Sequence, residues 1–261
     1  MVKRRTTYIM SDARGKEAAE PAAARAAREV DRIREVYRAY MPSVRRRWDP
    51  SNRGNRAIAE ERSVAMRALL GRHGFLPLSG RRVVDVGCGS GDVLGELMTL
   101  GAEPGRCLGI DLLPERVAAA RRRFAGMEFA TGDGAALPLA DASVDLALVF
   151  TLFSSILDAD LRQRVANEIA RVLGPSGGLL WYDLRYPSPA NPHVRGMARG
   201  AIQQLFPAFA LEGFNVTLLP PLARRLGRLT GVLYPLLAGV PALRSHYVGL
   251  LRRRPQGAVH R

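Results

Sequence analysis

Val83-Val84-Asp85-Val86-Gly87-Cys88-Gly89-Ser90-Gly91 is the stretch on which the fold turns. The valines around Asp85 make a short β-branched run suited to a buried parallel strand. That strand stops at Gly87, and Gly89 and Gly91 follow at alternate positions. Glycines so spaced let the chain turn tightly and bring bare backbone against a ligand. Residues 92–99 read as a helix, so the turn lies at the carboxyl end of a strand, where open α/β sheets bind nucleotides. A phosphate cradle needs Gly-x-Gly-x-x-Gly, but here the third glycine comes early and Asp92 stands in its place. An acid at a helix start repels a pyrophosphate and tolerates a cationic ligand. The loop therefore favours a nucleoside without phosphates.

Further elements follow in order. Cys107–Asp111 is a second apolar strand, ending in a carboxylate 20 residues beyond Gly91, where it can accept both hydroxyls of a ribose. Residues 127–131 form a third candidate strand, and Gly132-Asp133-Gly134 then offers an acid to an adenine amino group. Val144–Phe150 and residues 178–184 read as strands four and five. Over residues 80–185 the chain resembles the class I S-adenosylmethionine-dependent methyltransferases, in particular their small-molecule O-methyltransferase-like group. The resemblance implies S-adenosyl-L-methionine as cofactor. Its glycine motif falls on Asp85, Gly87, Cys88, Gly89 and Gly91, and its ribose acid on Asp111, with Leu112 beside the adenine. Its adenine-edge acid falls on Asp133, followed by Gly134, and Phe150 and Thr151 close strand four. Residues 171–178 resemble the family's turn into strand five, with Ser176 where glycine is frequent. The implied fold is α/β: a Rossmann-like, doubly wound, mostly parallel seven-stranded sheet with a helical N-terminal lid and a helical insert before the last strand. A doubly wound domain binding another nucleotide is the competing reading.

At 261 residues and 47% apolar composition the chain can bury a full core. No apolar run is long enough to span a bilayer, and the basic start lacks the apolar centre of a secretory signal. Cys88 and Cys107 have no metal-like company, so no metal is expected and a reducing cytoplasm is the simple reading. Charge is uneven. Residues 1–62 hold 16 Lys and Arg against 9 acids, residues 63–223 balance 15 against 15, and residues 224–261 hold 8 arginines and no acid. The excess fits an anionic partner such as nucleic acid, a phosphorylated substrate or an acidic membrane face. A codon bias towards arginine, which supplies all but two of the 39 basic residues, explains it as well.

Residues 1–24 have few large apolar groups and read as a disordered tail, residues 25–78 as a helical cap, and residues 79–261 as the catalytic domain. Val30, Ile33, Val36, Tyr37 and Tyr40 share one face of an amphipathic helix that Pro42 is expected to end. A second helix over residues 57–73 leads into the first strand. By analogy with helical lids of small-molecule methyltransferases, Tyr37, Tyr40, Trp48 and Asn52 become acceptor-binding candidates, with Tyr37 and Tyr40 equally readable as core. After strand five, residues 181–193 crowd aromatic, charged and proline residues into one loop. There Arg185 and Asn191 are candidate substrate ligands, Asp183 and His193 candidate proton acceptors, and Asp183 alternatively a structural partner of Arg185. Strands six and seven are expected at residues 214–218 and 245–251. The insert of about residues 219–244 between them reads as two short helices broken at Gly231 and Pro235. Its leucines either pack on the sheet or rest on a membrane or lipid tail.

The expected reaction is attack of an acceptor oxygen, a hydroxyl of a small or glycosylated molecule, on a sulfonium methyl. No Asn-Pro-Pro-Tyr or Asp-Pro-Pro-Tyr follows strand four, which argues against amino-methyltransferases of adenine and glutamine. Nucleic acid is therefore a disfavoured acceptor. An RNA methyltransferase recruited by the basic ends, and a non-catalytic partner-binding protein, remain alternatives. A cytoplasmic protein with peripheral contact at an anionic inner-membrane face is the expected setting.

Overall fold

In the computed structural model, residues 21–189 and 191–255 are described, side chains 41–45 excepted. Of the tail expected over residues 1–24, residues 1–20 lie outside the described residues, and residues 22–24 are helical, because the first helix begins at Ala22. Seven strands, β1 (Val83–Val86), β2 (Cys107–Asp111), β3 (Glu128–Thr131), β4 (Val144–Phe150), β5 (Leu173–Leu184), β6 (Phe209–Leu218) and β7 (Arg244–Arg253), form one sheet. Its order is β3-β2-β1-β4-β5-β7-β6. β1 to β5 are mutually parallel, and β7 runs antiparallel between β5 and β6. The fold is the expected Rossmann-like α/β sheet with helices on both faces.

The central strands are buried on both sides, which is why they read as continuous apolar runs. One face packs Trp181, Phe153 and Phe206 with α5 (Ala159–Val172), α6 (Arg199–Leu205) and α1 (Ala22–Arg47). The other packs Phe75, Leu146 and Leu180 with α2 (Arg53–Arg72), α3 (Asp92–Leu97) and α4 (Pro114–Arg123). A third cluster, Ile58, Leu218, Ala223, Tyr234 and Ala238, lies under the insert, which contains α7 (Pro220–Arg225) and α8 (Thr230–Ala238).

Where the elements differ from the sequence reading, packing outranks local signals. α1 does not end at Pro42 but continues to Arg47; an interior proline removes one hydrogen bond without obliging the helix to stop. α8 likewise passes through Gly231 and Pro235, because Thr230, Tyr234 and Ala238 are all buried along one side of it. β5 begins at Leu173, with a register shift against β4 between Val144 and Leu146 that absorbs the Gly-rich turn. β6 starts at Phe209, five residues ahead of expectation. There Phe209 and Leu211 face inward while Ala210 and Glu212 face solvent, as suits an edge strand.

The insert is tied down through α2. Asn52 accepts the Asn55 N–H as the cap of α2 and donates to the Arg224 carbonyl at 3.2 Å. Gly54 lies so close to α7 that a Cβ there would overlap the Ala223 carbonyl. Alanine normally improves a helical glycine by up to about 1 kcal/mol. Here the overlap reverses the sign: Gly54→Ala should cost about 1–3 kcal/mol. Its thermal midpoint, followed by circular dichroism, should fall by roughly 2–4 °C per kcal/mol. A raised midpoint would show that the insert is not seated on α2.

Candidate functional site

The site is assembled at the carboxyl edge of the parallel strands. The Gly87 and Cys88 N–H groups both donate to the Ile110 carbonyl, at 2.7 and 3.0 Å, folding the loop after β1 over the end of β2. Gly87, Gly89 and Gly91 all have positive φ, at +80°, +57° and +80°, a conformation that costs glycine little. Asp111 ties the loop to the next helix. Its Oδ2 accepts the Gly89 N–H at 2.8 Å and its Oδ1 the Leu113 N–H at 3.0 Å. The Arg116 guanidinium, on α4, comes within 3.6 Å of Oδ2 and lies over the Tyr37 ring.

Asp85 lies beneath the loop, and neither of its carboxyl oxygens has a partner among the described residues. Burial, reinforced by the nearby Asp111 charge, raises its pKa to about 8. Cys88 is buried and its thiol is pushed well above its ordinary range, chiefly by desolvation, which makes it a packing residue and not a nucleophile. Asp92 turns outward to pair with Arg123 at 2.7 Å.

The far wall comes from the end of β4. Thr151 has φ +54°, an outlying conformation for a β-branched residue, and strain of this kind collects at functional sites. It is held by its N–H donating to the Tyr182 carbonyl at 2.7 Å and its hydroxyl to the Phe150 carbonyl at 2.7 Å. α1 forms the roof. Ser155 donates to the Thr151 carbonyl at 3.2 Å, so the Tyr37 hydroxyl donates to Ser155 Oγ. Glu29 accepts the Leu157 N–H, and Arg32 donates to the Ser155 carbonyl at 2.7 Å.

The resulting cleft gathers Tyr37, Gly87, Asp111, Leu112, Asp133, Gly134, Phe150 and Thr151, together with Val30 and Ile33 of the α1 face. Asp133 Oδ1 accepts the Ala135 N–H at 2.9 Å, while its other oxygen makes no hydrogen bond among the described residues. Cys88, Gly89 and Gly91 do not line the cleft. The space beside Gly89 is taken by the Arg116 guanidinium, and a Cβ at Gly91 would press on Phe124 and Phe129, so Gly91 serves packing. Sequence reasoning missed Arg116 and Ser155. Arg116 is one of four arginines in α4 and nothing local distinguishes it, whereas Ser155 carried no signal.

Seven other candidates lie away from the cleft. Asp183, expected to accept a proton, is buried with both oxygens taken by backbone N–H groups, of Ser154 at 2.9 Å and Leu184 at 2.8 Å. It holds the turn after β4, and it is not paired with Arg185. Burial raises its pKa to about 6. His193 is exposed, its N–H donating to the side chain of Asn191, which thereby closes a turn. Arg185 donates to the Pro241 and Arg244 carbonyls and so clamps the insert. Trp48 stacks under Arg224, and Asn52 caps α2. Tyr40 accepts a hydrogen bond from Arg47 and does not line the cleft. For Asp183, Arg185, Asn191 and Asn52 the cause is competition, because nearby backbone groups take up their side chains.

Residues 83–177 match the family model described as a methyltransferase domain. The chain is 32% identical over 130 residues to the phthiotriol/phenolphthiotriol dimycocerosates methyltransferase of Mycobacterium leprae, covering 49% of this chain and 47% of that protein. It is 32% identical over 133 residues to the fatty-acid O-methyltransferase of Mycolicibacterium smegmatis, covering 49% and 46%. The chain thus spans about half the length of the curated relatives it matches. An S-adenosylmethionine-dependent methyltransferase from Mesorhizobium loti superposes with a TM-score of 0.54 at 20% identity, over 72% of this chain and 96% of that one; this likeness is one of fold. Residues 83–177 thus match a methyltransferase domain, the fold is the one seen in S-adenosylmethionine-dependent methyltransferases, and S-adenosyl-L-methionine is the cofactor that this likeness implies.

The cleft fits that cofactor. The Asp111 carboxylate would accept the hydroxyls of a ribose, the free oxygen of Asp133 would take an adenine amino group, and Ile110 and Leu112 give apolar walls. Asp85, protonated beneath the loop, does not itself line the cleft. A ligand lying against the Gly89 backbone requires the Arg116 side chain to turn aside. Asp111→Ala leaves both ribose hydroxyls and the Gly89 N–H without an acceptor. We expect S-adenosylmethionine affinity to drop about 5- to 150-fold, equivalent to about 1–3 kcal/mol. Calorimetry on the folded variant giving wild-type affinity would remove Asp111 from the site.

Asp85 has its own pH signature. Its folded pKa of about 8 stands above the ordinary 3.8, so the folded state holds a proton that the unfolded state releases. Its contribution is greatest below the ordinary value and is lost as pH rises towards the folded value. Asp85→Asn should therefore raise the melting temperature of the cofactor-free protein by an amount that grows between pH 5 and pH 8. A gain that is constant or shrinks over that range would contradict the neutral buried carboxyl.

Proposed function

We propose that this chain transfers the methyl group of S-adenosyl-L-methionine to an oxygen of a small lipid-like or glycosylated acceptor. The observation that carries the reading is the convergence of Gly87, Asp111, Asp133 and Thr151 on one cleft roofed by α1. The oxygen acceptor is supported by the relative named as a fatty-acid O-methyltransferase, and the lipid-like character by that relative and the phthiotriol/phenolphthiotriol dimycocerosates methyltransferase.

When bound, the cofactor supplies an electrophilic methyl on a good leaving group. The chain's part is alignment and exclusion of water, which suffice for much of such a rate enhancement. Asp111 and Asp133 orient the nucleoside, and the Gly87 backbone admits it closely. Tyr37, anchored through Ser155 to the strained Thr151, holds α1 over the site and keeps solvent out. Burial raises the pKa of Tyr37, so it stays a neutral hydrogen-bond donor. No histidine lines the cleft among the described residues; of the proton acceptors anticipated from sequence, Asp183 is taken up by backbone N–H groups and His193 is exposed away from the cleft. An acceptor oxygen that is already ionised, a carboxylate or an acidic phenol, therefore suits the site better than a sugar hydroxyl.

The test is radiolabelled methyl transfer to fatty acids, acidic phenols, sugar hydroxyls and RNA, offered in parallel. Ionised oxygen acceptors should be labelled, with kcat flat through neutral pH. His193→Ala should retain activity within about threefold, whereas loss of a general base costs 100-fold or more. Labelling of RNA alone, or of none of these, would overturn the proposal.

A further inference from the structure

We propose that the insert between β6 and β7 is a docking surface for an anionic phospholipid bilayer. α8 is a two-sided helix with opposite assignments. Thr230, Tyr234 and Ala238 are buried against Ile58 and Leu218. On the other side Val232 and Leu236 are both 66% exposed, and Leu229 just before the helix and Val240 just after it are 60 and 45% exposed. At spacings of three and four residues they make one continuous ridge. They account for four of the nine large apolar residues exposed on the described surface, a concentration that isolated surface leucines do not explain. Leu222, Leu226 and Leu237 by contrast pack inward, as one of the two expectations for the leucines has it.

The rim of the ridge identifies its occupant. Arg225 and Arg228, beside it, and Arg53 on α2 are exposed and make no ion pair among the described residues. Of the acids on the facing side of α2, Glu61 is taken up by Arg244, Tyr234 and the Thr217 N–H, which leaves Glu60 alone. The segment from Arg224 to Arg261 contains eight arginines and no acid. A second copy of the chain would bring arginine against arginine, whereas lipid phosphates complement an apolar ridge edged with arginines. Position agrees with this. β6 runs antiparallel to β7, and β7 antiparallel to β5, so the insert projects from the carboxyl edge that holds the cofactor cleft. The inference rests on this surface and not on the acceptor proposed above.

Co-sedimentation of the full chain with vesicles tests it, using phosphatidylcholine alone and phosphatidylcholine with 30% phosphatidylglycerol (an amount of about one lipid in three, chosen as a typical anionic surface). Binding to the anionic vesicles should exceed binding to the neutral ones and weaken as salt rises. Arg225→Gln/Arg228→Gln should lose roughly 25-fold, about fivefold for each arginine. Val232→Ser/Leu236→Ser should lose more than about tenfold. Both variants alter exposed positions and should keep the wild-type circular dichroism spectrum and S-adenosylmethionine affinity. Equal binding to both vesicle types, or undiminished binding by Val232→Ser/Leu236→Ser, overturns the proposal, the latter assigning attachment to the basic ends. It is also overturned if sedimentation velocity shows a wild-type dimer that the serine variant dissociates. Lack of methyl transfer to lipids would leave vesicle binding unaffected, so the two proposals fail separately.

Discussion

A single carboxylate, that of Asp111, determines the geometry of the cofactor end. It accepts one N–H from the glycine loop and another from the start of α4, and it faces the only guanidinium lining the cleft among the described residues. Charge-assisted bonds of this kind are about twice as strong as neutral ones, and burial makes the loss of a partner costly. The loop after β1, the end of β2 and the first turn of α4 are thus held to one another before any ligand arrives. Asp85 lies next to this charge and responds by remaining protonated.

Two helical additions then divide the labour around the sheet. α1 belongs to the cofactor side, bonded by Glu29, Arg32 and Tyr37 to the turn after β4. α2 belongs to the insert side, seated on α7 through Gly54 and bonded to β6 through Glu61. The two are consecutive in sequence yet serve opposite faces, so what reads as one N-terminal cap functions as two. Arg62 of α2 lies over the rings of Phe150 and Tyr182, and it is here that the insert side reaches the cleft wall.

The legibility of the sequence followed the physics of each segment. The parallel strands were readable because burial on both faces demands uninterrupted apolar residues, and the boundaries of β1, β2 and β4 match their apolar runs. Asp111, Asp133, Phe150 and Thr151 were readable because strand ends place them with little freedom. The long loop after β5 was misread for the converse reason. Arg185, Asn191 and Asp183 have chemistry that suits a substrate equally well, but unpaired backbone groups nearby claimed them first. Arg116 and Ser155 reach the cleft through helix phase and turn geometry that only the assembled fold reveals. Pro42, Gly231 and Pro235 misled because breaker residues act locally, and tertiary burial outweighed them.

The sheet order carries a consequence for biosynthesis. β7 is the last strand in the chain, but it occupies the place between β5 and β6. While a ribosome is still making it, β6 has no hydrogen-bonding neighbour, and the edge of β5 stands open. The five parallel strands and the residues that line the cofactor cleft all precede Arg185 in the chain, although Phe206 and Leu251 complete the core beneath them. The insert cannot take its place until Arg244–Arg253 emerges and threads into the gap. Synthesis therefore delivers the cofactor half first, and the apolar ridge is presented at the surface only once the sheet is closed.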